Sequence, residues 1–179
     1  MLISRQKKEE NIVEYLLYMW QIEDIIRAYN FDIELINKNI ISTFQYSGED
    51  KKAMKFWYED IIETMKLEKV TEKGHFQAIK NIIFDLNDLH LYLLQSSIHA
   101  DYRQKYQKAA THLSEYQIKA KHTTKTIIET ALEAMYATLL LRLQKKEITA
   151  QTSQAINEIG KMLALLAKKY KMREEDKLE

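Results

Sequence analysis

Glu14-Tyr-Leu-Leu-Tyr-Met-Trp-Gln-Ile-Glu-Asp-Ile-Ile-Arg-Ala-Tyr29 decides the fold class. Within it Tyr15, Met19, Ile22, Ile26 and Tyr29 recur every three or four positions, the period of one α-helical face. Ile12, Leu16 and Trp20 form a second, adjoining face. A helix apolar over so much of its circumference packs on more than one side. Ser4 is the expected N-cap, giving a first helix from there to about Tyr29.

The same period governs the rest of the chain. Asn30 reads as a stop and the next N-cap, and a second helix to about Gln45 carries Ile33, Ile36, Ile40 and Phe44. Tyr46-Ser-Gly-Glu-Asp50 is a turn in which Ser47 and Asp50 resemble a capping box. The third helix is expected to run to about Glu72, burying Met54, Trp57, Ile61 and Met65, with Gly74 as its C′ residue. A fourth spans about 75–95, with Ile79, Ile83, Leu86, His90 and Leu93 on its stripe.

From Ile98 the seam runs through Tyr102, Tyr106, Ala109, Leu113, Tyr116 and Ala120, then resumes in phase at Ile127, Ala131, Ala134 and Thr138. The phase permits one long helix over 98–145. The polar Lys121–Lys125 stretch with its adjacent threonines favours two, joined near His122. Thr149 caps a last helix carrying Ile156, Ile159, Leu163, Leu166 and Tyr170.

Composition agrees with this all-α reading. The 179 residues include no proline, no cysteine and only three glycines, with 46% hydrophobic and 30% charged residues. Scarce glycine disfavours hairpins, dinucleotide-binding turns and phosphate-cradling loops. Absent cysteine excludes disulfides, thiolate metal sites and thiol nucleophiles. The expected architecture is a single-domain bundle over 1–172, of six or seven mostly antiparallel amphipathic helices, with a frayed tail at 173–179. The N-terminus turns charged before a signal-peptide core develops, and no apolar run approaches the ~20 residues of a membrane span. A cytoplasmic location without membrane association is the expectation.

The stretch Ser4-Arg-Gln-Lys-Lys-Glu-Glu-Asn-Ile-Val-Glu-Tyr-Leu-Leu-Tyr-Met-Trp-Gln-Ile-Glu-Asp24 resembles the N-terminal signature of an uncharacterised bacterial all-helical family, a domain of unknown function. The similarity is clearest over 4–28. It implies a stand-alone bacterial helical protein, and it brings no activity and no site residue with it.

Candidate chemistry is sparse. A helical di-iron centre needs two Glu-x-x-His motifs, and the chain offers one, Glu72-Lys-Gly-His75, with a glycine inside it. No two of His75, His90, His99, His112 and His122 stand four apart, so no cofactor or metal is expected. No Gly-x-Ser-x-Gly or Walker loop occurs, which argues against an enzyme. His90 falls on an apolar stripe near Asn87. The pair could form a small-ligand or catalytic pocket, or His90 could be a buried histidine satisfied by a neighbouring hydroxyl or carbonyl.

Glu23 and Arg27, one turn apart beside Trp20, are candidates for an ion pair at a helix or subunit seam. Residues 97–125 hold six Lys or Arg against two acids, and Lys105, Lys108, His112, Lys119 and His122 share one stripe. The stripe is either a solvated face or an anion and nucleic-acid surface over 103–125. The tyrosines lie on the opposite, core-facing side, which disfavours nucleic acid. The leading expectation is a non-enzymatic helical interaction module, binding an unknown protein partner or itself as a homodimer.

Overall fold

Asn11 divides what the sequence pattern presents as one helix. In the computed structural model, which describes residues 2–121 and 125–178, α1 covers Leu2–Glu10 and α2 covers Ile12–Ala28. The Asn11 Oδ1 accepts the Val13 N–H at 3.0 Å, a local bond that competes with helix continuation and restarts the chain. Ser4, expected as the cap, lies within α1 and is buried.

The remaining elements are α3 (Ile33–Asn39), a 3-10 turn (Ile41–Thr43), α4 (Gly48–Leu67), α5 (Gln77–Gln95), α6 (Ala100–Ala120), α7 (Ile127–Leu143) and α8 (Ala150–Glu174). The described residues thus hold eight α-helices rather than six or seven, and no strand.

Helix ends follow local hydrogen-bonding chemistry. Asn30 and Phe31 both take positive φ, so the cap of α3 falls to Asp32, whose carboxylate accepts the Glu34 and Leu35 N–H groups. The third helix of the sequence reading, now α4, stops at Leu67 rather than near Glu72. Lys69 (φ 56°) supplies the left-handed residue, and the Val70 N–H closes on the Met65 carbonyl at 3.0 Å. Gly74 (φ 85°) instead turns the loop that leads to α5.

Within 98–145 the described residues form two helices, α6 and α7, and the expected junction at His122 lies outside the described residues. Lys121 (φ 56°) ends α6, and Thr126 opens α7 with a full capping box to Glu129. Thr149 caps α8 by accepting the Thr152 N–H, as its position predicts. The α8 helix continues to Glu174, where the Lys177 N–H donates to the Met172 carbonyl at 2.7 Å.

The chain divides into two compact units. One comprises residues 1–10 and 14–81, the other residues 11–13 and 82–179. In the first, Leu16, Met19, Trp20, Ile22 and Ile26 of α2 are buried, as are Ile36, Ile41, Met54, Ile61 and Met65. Trp57, expected in this core, is half-buried and stacks on Tyr18, while its neighbour Tyr58 takes the buried position.

In the second unit α6, α7 and α8 pack on one another, with Leu113, Ala131, Ile159, Leu163 and Leu166 buried. Leu86, Leu89 and Leu93 add the buried stripe of α5.

Candidate functional site

The three α2 residues singled out by sequence are drawn inward within the first unit. Trp20 is 3% exposed and stacks on the His75 imidazole, with ring centroids 4.3 Å apart and planes 9° from parallel. Glu23 is fully buried. Its Oε2 meets His75 Nδ1 at 2.5 Å and its Oε1 accepts the Phe76 N–H at 3.2 Å.

The expected Glu23–Arg27 pairing gives way to this arrangement. Arg27 pairs with Asp24 at 3.0 Å and donates to the carbonyls of Val70 and Gly74. Together Glu23 and Arg27 hold the 68–76 loop, which joins α4 to α5, against α2. A buried carboxylate needs such partners, because desolvation penalises an unpaired charge heavily. His75 stands 52 residues from Glu23. No spacing rule reaches that far, so the sequence gives no signal for the contact.

His90 lies in the second unit and is 1% exposed. Its Nδ1 is 2.7 Å from the Tyr102 hydroxyl, and its ring meets the Tyr106 ring edge-on at 4.9 Å. Burial lowers the imidazole to about 4 and raises the Tyr102 phenol above its ordinary value. The histidine is therefore neutral and the phenol protonated at pH 7. Tyr102 donates to Nδ1 in the tautomer that carries its proton on Nε2. Asn87 is half-buried. The neighbouring hydroxyl is the partner that satisfies the buried imidazole.

A pH dependence follows. The folded-state value of His90 lies below the ~6.5 of an unfolded histidine, so the unfolded chain binds the proton first. The stabilisation is complete above pH ~6.5 and is lost as pH falls toward 4, by roughly 3 kcal/mol in all. Urea midpoints of the native protein should therefore fall more steeply over this window than those of His90→Gln. Parallel slopes would show that His90 does not titrate against burial.

The ends of the basic segment 103–125 are engaged from within the second unit. Arg103 donates to the Ser96 and Ser97 carbonyls, and Lys125 pairs with Glu133. The Glu158 carboxyl on α8 is lowered chiefly by the hydrogen bond from Lys161, with Lys108 and Lys105 adding smaller attractions. Lys108 and Lys119 are exposed, Lys105 and His112 half-buried, and His122 lies outside the described residues.

His112 and Lys119 also rim a cavity of about 230 Å³ between α6, α7 and α8. Its wall includes Ala137, Thr138 and Leu141 of α7 and Ala155, Ile156 and Ile159 of α8. Sequence periodicity could not locate this space. It arises because alanines stand where three helices face one another. Among the described residues no three His, Asp or Glu side chains converge to hold a metal ion, and no helix is long and apolar enough to cross a membrane.

Two helical units, one braced by a buried carboxylate–imidazole pair and one carrying a small amphipathic cavity, define an all-α protein. The family model of the Domain of unknown function (DUF4924) matches residues 1–177, and the chain belongs to that family. No curated protein and no solved structure matches it.

Proposed function

We propose that the chain is a non-enzymatic helical interaction module, its helices forming a largely antiparallel bundle that works as a homodimer. The observation that supports this reading is the outer face of α5. Phe84 is 64% exposed and Leu91 47%, and seven residues apart they share one helical face. Tyr92, next to Leu91 in α5, and Ile98, three residues past the end of that helix, are 49% and 62% exposed. Large apolar side chains clustered on a surface mark an interaction site more often than scattered ones do. A second copy offers the same face, which a two-fold axis makes self-complementary.

Trp20, Glu23 and Arg27 enter this proposal as residues that stiffen the first unit. Sedimentation equilibrium should show a dimer at micromolar concentration. Phe84→Glu/Leu91→Glu should return it to monomer with the helical circular dichroism retained. A native protein that stays monomeric to about 100 μM would defeat the homodimer, since that concentration exceeds the dissociation constants of specific standard-sized interfaces.

The competing assignment, nucleic-acid binding by the α6 stripe, predicts retention on heparin that falls with salt at a slope of roughly −0.9 per phosphate contacted. Lys105→Glu/Lys108→Glu/Lys119→Glu would abolish it. The ion pair of Lys125 with Glu133 and the attraction of Lys105 and Lys108 to Glu158 lead us to expect no retention at physiological salt.

A further inference from the structure

We propose that the cavity between α6, α7 and α8 binds a single small zwitterion with an apolar side chain, an apolar α-amino acid. Three features of the second unit carry this. The first is size. At about 230 Å³ the space falls below the ~300 Å³ at which drug-sized sites begin, so it accepts one compact molecule.

The second is the apolar wall. Ala137 and Ala155 open the space, and Leu141, Ile156 and Ile159 line it with hydrocarbon. The Thr138 hydroxyl is engaged by its own helix, donating to the Ala134 carbonyl at 2.8 Å, so its donor proton is already used within α7.

The third is the rim. His112, Glu115 and Lys119 stand three and four residues apart on one face of α6 and border the cavity together. No side-chain hydrogen bond or ion pair engages any of the three among the described residues. A simple carboxylate would meet Lys119 and His112 but would also face the Glu115 carboxylate. A simple amine would meet the reverse conflict. A zwitterion satisfies both signs, its carboxylate toward Lys119 and its ammonium toward Glu115, while its side chain enters the hydrocarbon wall. Charge-assisted contacts of this kind outweigh neutral ones, and pairing both signs avoids the penalty of juxtaposed like charges.

The test is a calorimetric titration of the full chain with L-phenylalanine, 3-phenylpropanoate and phenethylamine, which share one ring and differ only in the head group. Saturable binding of L-phenylalanine is expected in the low-millimolar range or tighter, from the efficiency typical of small ligands. The two truncated probes should bind at least about fivefold more weakly. Lys119→Glu and Glu115→Lys, both at exposed positions, should each weaken L-phenylalanine by a similar factor with unchanged thermal unfolding. Ala155→Leu should fill the space and abolish binding.

Absence of saturation below about 10 mM L-phenylalanine would overturn the assignment. So would equal binding of 3-phenylpropanoate, which would make the site a carboxylate site, or equal binding of phenethylamine. Indifference to both charge variants would place any observed binding elsewhere on the chain.

Discussion

Trp20→Ala is expected to cost about 3–5 kcal/mol, the range for truncating a large aromatic in a packed interior. Trp20 is 3% exposed, so the variant loses nearly all of the apolar burial of the indole as well as its stacking on His75. Residues around it cannot easily collapse into the space, because Leu16, Met19 and Ile22 are fixed on the same helix. Glu14 on the outer face provides the contrast. Its side chain is 60% exposed beside Lys7, and Glu14→Ala should stay within roughly 0.5 kcal/mol. Urea unfolding of both variants checks the difference. Equal small effects would mean that α2 is rotated about its axis relative to this structure.

The second large effect concerns Glu23. Glu23→Ala removes both acceptors of the buried network, leaving the Phe76 N–H without its partner and His75 without its carboxylate. Breaking one side of a buried pair costs about 3–5 kcal/mol, because the remaining polar groups stay desolvated. Glu23→Gln keeps the shape and one carbonyl oxygen, so it should cost distinctly less. A double-mutant cycle with His75→Ala should reveal a coupling of ~1–3 kcal/mol. Denaturant midpoints that barely move for Glu23→Ala would remove the clamp from the account of the 68–76 loop.

Helix content was legible because it depends on periodicity and composition, both local. The buried stripe Ile79, Ile83, Leu86, His90 and Leu93 stands as its spacing predicts, and Thr149 caps α8. What failed were positions where two local signals compete. Asn11 sits inside a stretch that reads as one helix from Ser4 to about Tyr29, and only its side-chain bond to the Val13 N–H shows that it breaks the helix.

Gly74 is the stronger left-handed residue by intrinsic preference, yet Lys69 ends α4, since the Val70 N–H reaches Met65 from there and Val70 is buried. The Thr126-x-x-Glu129 box was present in the sequence and fixes the α7 start directly. The site residues divide differently. Trp20 and His90 follow from their faces, whereas the Glu23–His75 contact and the cavity depend on tertiary placement that no periodicity encodes. Phe84 and Leu91 fall off the stripe assigned to α5, so an apolar outer face was invisible to a search for the core.

The central claim is that the α5 outer face meets itself in a homodimer, and the absence of cysteine makes it directly testable. Leu91→Cys introduces the only thiol of the chain, on the proposed two-fold face. Mild oxidation at low micromolar protein should give a disulfide-linked dimer, because such a bond requires the two Cα atoms to approach within about 7 Å. Glu63→Cys, on the exposed side of α4, should stay monomeric under the same conditions. Rapid cross-linking at position 91 and none at 63 is the predicted result. Equal, slow cross-linking at both positions would contradict the dimer face and leave α5 without a partner of its own kind.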